Sequence, residues 1–337
     1  MTFLIQQTLI YAIPLMIVAL AGVFAERSGI INLALEGIMI FGAFIGVLFV
    51  REVQQLEVFQ LAKEMDNYLA LQGLELMAMA AAAIMGAIFS LLLSFASVNL
   101  RADQTIGGTA LNLMAPAIVL FFIRIIANQN TMTMSSGDSA SWFMIKKAMF
   151  GYGRTDKMGF LGSTFIDKTY LATYICILLF IILSIILYKT RFGLRLRSCG
   201  ENPQAADSLG INVYKMRWAG VLISGVLGGI GGIVFITAGV SEWRFEYGVA
   251  GFGFLSLAVM IFGQWKPQRI ALAALLFGLF RALSNVYMGF GFLTAMNIPS
   301  PVYNMMPYII SLIVLAFTSK RSRAPKAEGI PYDKGQR

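Results

Sequence analysis

Residues 189–217 read KTRFGLRLRSCGENPQAADSLGINVYKMR and lie between two long apolar segments. The stretch carries six basic and two acidic residues. Short basic loops stay on the inner side of a membrane, so this one faces the cytoplasm. Within it the sequence predicts a short helix. Asn202 is placed to cap the first turn, Pro203 suits the first helical position, and Gly210 is placed to end it. Two spans need no capped, half-polar helix merely to be connected. The segment reads as a docking element for something in the cytoplasm, against the plainer alternative of a solvated loop that anchors topology.

Working outward, the composition sets the class. Of 337 residues, 58% are hydrophobic and 13% charged, with a mean hydropathy of +0.74. The expectation is an all-α, polytopic helical membrane protein. The net charge of +9 belongs mostly to the inner loops and the tail, so it speaks for membrane orientation and not for nucleic acid. Cys176 falls in an apolar span and Cys199 in the basic loop, which is no disulfide framework. The apolar start has no basic leader and no small-residue cleavage site, and reads as a retained first span.

About nine apolar runs are long enough to cross a bilayer, nine to ten if a broken one counts twice. They are 6–25, 30–50, 74–95, 105–127, 170–188, 218–240, 251–263, 270–288 and 303–318. The seventh is short and punctuated by glycine, which fits a broken or re-entrant span. Together they predict one membrane domain over 1–320, with the basic loop at 189–217 and a basic cytoplasmic tail at 321–337. Loop and tail both go inside, and counting back places the acidic segment 51–73 and Met1 outside. A re-entrant turn around Glu26–Glu36 would reverse that count. The long stretch 128–168 comes out external, with Ala140–Phe150 a candidate amphipathic helix lying on the membrane surface or covering a pore mouth.

Absences narrow the chemistry. The chain has no His, no G-x-x-x-x-G-K-[ST] phosphate loop and no pair of carboxylates suited to one pocket. Histidine-dependent hydrolysis and metal sites are excluded, as is ATP binding through a phosphate loop. No enzyme, metal or cofactor is expected. The positive evidence is polar residues inside spans. Asn32 and Glu36 are one helical turn apart on the second span, Thr105, Thr109 and Asn112 form a stripe on the fourth, and Arg281 and Asn285 do so on the eighth. Such groups are costly at membrane depth and face a cavity or a partner. Asn32, Glu36, Thr109, Asn112, Arg281 and Asn285 are candidates for lining a solute path; pairing of Glu36 with Arg281 to hold the bundle together is the structural alternative. Gly225, Gly228, Gly229, Gly231 and Gly232 predict close helix packing on the sixth span, or a flat face that moves during gating.

Four blocks resemble a known family: ERSGIINLALEGIMIFGAF from Glu26, NLRADQTIGGTALNLMAP from Asn99, GLRLRSCGENPQAADSLGIN from Gly193 and FGFLSLAVMIFGQWKP from Phe252. With the span order they cover most of the chain. It resembles the membrane permeases of ABC importers, in the branch that includes ribose, branched-chain amino acid and nucleoside permeases. SGIINLALEG and ADQTIGGTALNL are most similar to the nucleoside type. Such permeases carry a cytoplasmic coupling helix, often E-A-A-x-x-x-G; here Ala205, Ala206 and Gly210 match it, with Gln204 in place of the Glu. The resemblance implies an ATPase-coupling element of Glu201, Asn202, Pro203, Ala205, Ala206 and Gly210. It implies separate ATPase subunits, a second permease (identical or not), an external substrate-binding lipoprotein, and a nucleoside or, alternatively, a sugar as solute. A self-contained secondary transporter and a structural scaffold are the rival classes.

Overall fold

The computed structural model describes residues 2–65, 67–134, 143–153, 159–239, 244–246, 248–286, 289, 299, 302, 305, 306, 308, 309, 312, 313, 316 and 324–335. Helices dominate. They are α1 (Thr2–Arg27), α2 (Leu35–Val53), α3 (Glu57–Glu64), α4 (Tyr68–Ser94), α5 (Gln104–Ala127), α6 (Phe160–Phe165), α7 (Leu171–Lys189), α8 (Arg191–Glu201), α9 (Pro203–Ser208), α10 (Val213–Gly239), α11 (Phe252–Phe262) and α12 (Pro267–Val286). Helices α1, α4, α5, α7, α10 and α12 are each long and apolar enough to cross a membrane. The second expected span becomes helical only at Leu35, and the seventh is the 11-residue α11. At 1.5 Å per residue α11 is about 16 Å long, roughly half the hydrocarbon thickness. The ninth expected span lies largely outside the described residues.

Contacts fix the directions of α1 and α2 relative to the basic loop. Arg27, at the end of α1, forms an ion pair with Glu201 at the end of α8, whereas Gln6 near its start bonds the carbonyls of Ser163 and Asp167. The start of α1 and residues 163–170 therefore sit at the end opposite the loop that holds α8 and α9. α2 runs alongside α10 in the same direction, since Ile38 meets Gly228 and Gly46 meets Ile233. The chain after Arg27 thus turns at the loop end, and α2 runs back toward the end at which α1 starts.

Two short antiparallel ladders close the outer end: β1 (Met132–Thr133) with β4 (Arg244–Phe245), and β2 (Met144–Ile145) with β3 (Thr169–Tyr170). The surface helix expected over Ala140–Phe150 is not formed in its described part. Residues 144–145 are a strand and Lys147–Phe150 a single 3-10 turn. Pairing with Thr169–Tyr170 satisfies the backbone there in place of helical bonds.

α10 is the hub, packed against α1, α2, α4 and α8. Lipid tails are as apolar as leucine, so helices in a membrane associate through close packing, and small residues allow it. The glycines of α10 face different neighbours. Gly225 meets Ser90 of α4, Gly228 meets Ile38 of α2, Gly231 meets Val18 of α1, and Gly232 meets Met39 of α2. Gly229 lies against the Ala82 carbonyl of α4 on one side and Gly42 of α2 on the other. A side chain there has nowhere to go. Gly229→Val is expected to lower the unfolding midpoint in detergent, at an overpacking cost of about 1–3 kcal/mol. Gly107→Val, where nothing lies within 4 Å of an added Cβ, is expected to leave it unchanged; equal midpoints for the two variants would contradict the packing account.

Candidate functional site

The backbone leaves the helix between α1 and α2. Gly29 takes a left-handed conformation (φ 98°) to close α1, and residues 30–32 follow without helical bonds. An unwound chain inside a membrane has no water for its peptide groups, and here side-chain amides take that place. Gln104 Oε1 accepts from the Ile31 N–H at 2.7 Å. Asn32 Oδ1 accepts from the Ala34 N–H at 3.1 Å, while its Nδ2 donates to Ser224 Oγ at 2.8 Å. Asn112 makes both bonds of its amide to the break: Nδ2 donates to the Leu33 carbonyl at 2.6 Å and Oδ1 accepts from the Gly37 N–H at 2.8 Å. A side-chain amide supplies donor and acceptor from one planar group without carrying charge. Asn32 therefore lies before the helix that carries Glu36, and not on one helical face with it as the spacing predicts.

Glu36 serves a second break. α11 starts within the bundle, after two consecutive left-handed residues, Ala250 and Gly251. Its free amides point at the Glu36 carboxylate: the Gly251 N–H donates to Oε1 at 3.0 Å and the Gly253 N–H to Oε2 at 2.7 Å. A helix N-terminus favours negative charge. The expected pairing of Glu36 with Arg281 is not formed, because these backbone donors occupy the carboxylate. Arg281 instead lies over the rings of Tyr11 and Phe252, at 6.0 and 5.9 Å. Asn285 Nδ2 donates to the Tyr11 hydroxyl at 2.5 Å.

The six predicted path residues thus fall into three groups. Asn32, Glu36 and Asn112 gather at the breaks. Arg281 and Asn285 gather on Tyr11, next to the first turn of α11. Thr109 stands on the open face of α5 with Thr105, its hydroxyl donating to the Thr105 carbonyl. Sequence reasoning missed Gln104, Ser224 and Tyr11, whose partners are distant in the chain. It also missed Glu75, which is buried in α4 and faces the Ala172 amide at the start of α7. Asn112→Leu removes the partners of two peptide groups, at about 1–3 kcal/mol for each group left unsatisfied. A clearly lower unfolding midpoint is expected, whereas Thr109→Val should match the wild type. A stable Asn112→Leu protein would refute the role of this amide.

The coupling loop is built as its punctuation predicts. Asn202 Oδ1 accepts from the Ala205 N–H at 3.0 Å, Pro203 opens α9, and Gly210 is left-handed at φ 78°. The two alanines differ in placement. Ala205 is exposed, while Ala206 is buried against Cys199, Val213 and Tyr332. Leu209, which the reading passed over, is 82% exposed beside Gln204, Ala205 and Ser208. Glu201 connects this element to the break through its 3.0 Å ion pair with Arg27.

Residues 324–335 of the expected basic tail fold back under the loop. The Ala327 N–H donates to the Gly200 carbonyl at 2.8 Å, the Ile330 carbonyl accepts from Arg217 Nη1 at 3.0 Å, and Asp333 takes a two-pronged bond from Arg101 at 2.7 and 3.1 Å. Tyr332 packs on Tyr214 with ring centroids 5.4 Å apart. Glu328 hydrogen-bonds Glu26, which also accepts from Trp265 Nε1 at 2.5 Å. Burial pushes the Glu328 carboxyl up, to about 7, although its bond to Glu26 and the charge of Arg27 pull the other way. Docking thus favours the neutral acid. Its contribution is full below the ordinary value of 4.5 and is lost as pH rises through about 7. A spin label at Gly335→Cys is expected to gain mobility over that interval, and Glu328→Gln should weaken the pH dependence, leaving the share of its partner Glu26.

Residues 4–317 match the family described as branched-chain amino acid transport system, permease component. The chain is 41% identical over 336 residues to the nucleoside ABC transporter permease protein NupC of Lactococcus lactis, covering 99% of this chain and 97% of that one. It is 39% identical over 339 residues to the guanosine ABC transporter permease protein NupQ of Bacillus subtilis, covering 100% and 98%. A putative glucose ABC transporter permease protein, TsgC13 of Haloferax volcanii, is 24% identical over 345 residues, covering 95% and 93%. No solved structure matches the chain. With its long apolar helices it is a multi-pass membrane protein, and it belongs to the permease-component family of branched-chain amino acid transport systems.

Proposed function

We propose that the chain is the membrane permease of an ABC importer that carries a nucleoside into the cell, with ATP hydrolysed on a separate subunit. The observation that carries the coupling is α9, capped at one end by Asn202, closed at the other by Gly210, and linked through Glu201 to Arg27 at the edge of the membrane break. Its open face of Gln204, Ala205, Ser208 and Leu209 offers small side chains and one apolar anchor to a groove on an ATPase. Displacement of α9 reaches α1 through the ion pair and then the unwound residues. That stretch is held by a handful of amide bonds that are able to re-form in a second arrangement. A second permease, identical or not, closes the open face of α5, and an external binding lipoprotein delivers the solute.

The cargo rests on the two relatives that align end to end and are named for nucleosides. Asn32 and Asn112 are committed to backbone, so solute contacts fall to Thr105 and Thr109 on the open side of α5, with Asn112 released when the break rearranges. Ribose hydroxyls and base edges bond to such groups as both donor and acceptor. Few contacts suffice, because a permease that held its solute tightly would stall its release.

Proteoliposomes holding this permease with its second permease, ATPase and binding protein are expected to take up guanosine only when ATP is inside. Leu209→Glu should abolish ATPase co-purification and uptake while the permease keeps its unfolding midpoint. Uphill uptake by the permease alone on a proton or sodium gradient would sink the ABC reading. Uptake of ribose in place of guanosine would sink the cargo.

A further inference from the structure

The cytoplasmic end of α7 and the start of α12 leave an open groove of about 690 Å³ between them. Its wall is apolar, with Phe180, Ile181 and Ile185 from α7 and Ala271 from α12. Ile181 and Ile185 are about half exposed, on a face that no other described residue covers. At its inner mouth stand Lys189, the last residue of α7, and Lys266, just before α12. Both are exposed, and among the described residues neither forms an ion pair. The two walls are fastened beneath the mouth. The Tyr188 hydroxyl donates to the Trp265 carbonyl at 2.5 Å, and the Arg197 guanidinium lies 4.8 Å over the Tyr188 ring.

We infer that this groove is a binding site for one anionic phospholipid of the inner leaflet, its phosphate between Lys189 and Lys266 and an acyl chain along Ile185, Ile181 and Phe180. The coupling loop follows Lys189 directly, which sets the two lysines at the depth of inner headgroups. A cation-rimmed apolar groove parallel to a spanning helix matches an amphiphile with a charged head, and neither part alone. Basic pockets between spans on the cytoplasmic side take anionic headgroups in this way. A free phosphate would leave the apolar wall bare, and a zwitterionic lipid would set its own cation against the lysines. The fastening reaches the coupling machinery, because Trp265, whose carbonyl Tyr188 holds, donates its indole N–H to Glu26 at the end of α1. Occupancy therefore steadies the floor on which α8 rests. The site does not depend on which solute is carried.

The test uses the full-length permease complex in nanodiscs of phosphatidylcholine and phosphatidylglycerol, with a photoactivatable analogue of one lipid or the other. The phosphatidylglycerol probe is expected to label peptides containing Ile181–Lys189 and Lys266–Ala271. The double variant Lys189→Gln, Lys266→Gln should lose labelling by roughly fivefold per charge removed, with its unfolding midpoint retained. Lys189→Arg, Lys266→Arg should keep it. Equal labelling of the Gln variant, or equal labelling of the wild type by the phosphatidylcholine probe, overturns the proposal. So does a disulfide between two permease chains through Ile185→Cys, which would make the groove a subunit interface. Loss of phosphatidylglycerol labelling on adding inorganic phosphate would assign the lysines to a free anion and equally overturn it.

Discussion

A peptide group carried into a bilayer outside a helix must find a partner within the protein, because no water is there to supply one. Residues 30–34 and the start of α11 both face that requirement, and a small set of polar side chains inside this bundle answers it. Gln104, Asn32 and Asn112 serve the first break, and Glu36 serves the second. The two are joined, since Glu36 lies in the first turn of the helix that the Asn112 amide caps. Moving either break disturbs the other. A transporter gains from this a region in which a few exchangeable hydrogen bonds, and not a packed helix, set the conformation.

The rigid part of the molecule surrounds that region. α1 and α10 are buried along most of their length, and the glycines of α10 let α1, α2 and α4 approach its backbone directly. Ser224, which anchors Asn32, lies on α10 in the run that includes Gly225 and Gly228. The break is therefore referenced to the least yielding surface available. At the other end of α1, Arg27 carries the connection to α8 and α9, and residues 324–335 lie across the same corner by way of Gly200, Arg217 and Arg101. α9 is thus held from behind by residues 324–335 while Leu209 stays exposed. Within the segment read as a basic tail, residues 324–335 form a structural strap.

Much of this was legible because it is local. Helix punctuation depends on neighbours within a turn, so Asn202, Pro203 and Gly210 mark α9 correctly. Apolar run length is also local, and it locates α1, α4, α5, α7, α10 and α12 as spans. Glycine clustering announces close packing without saying against what. The shortness of the seventh span was visible as well, and α11 is the half-length helix that results. The family blocks, read as a resemblance, pointed to the class of protein that the full-length relatives support.

Helical spacing misled where the chain is not helical. Asn32 and Glu36 are one turn apart only on a helix that has not yet begun, and Glu36 and Arg281 attract on paper but are separated by the free amides of α11. The direction in which Ala206 points, the exposure of Leu209, and the bond from Tyr11 to Asn285 all depend on what lies across the bundle. By itself, the sequence determined the membrane class, the short helix α9 and the residues costly enough at membrane depth to need a purpose. Only the tertiary structure decided which backbone groups those residues satisfy, because a hydrogen bond at 2.6–3.1 Å is chosen among all donors that folding brings near, and chain separation carries no record of that choice.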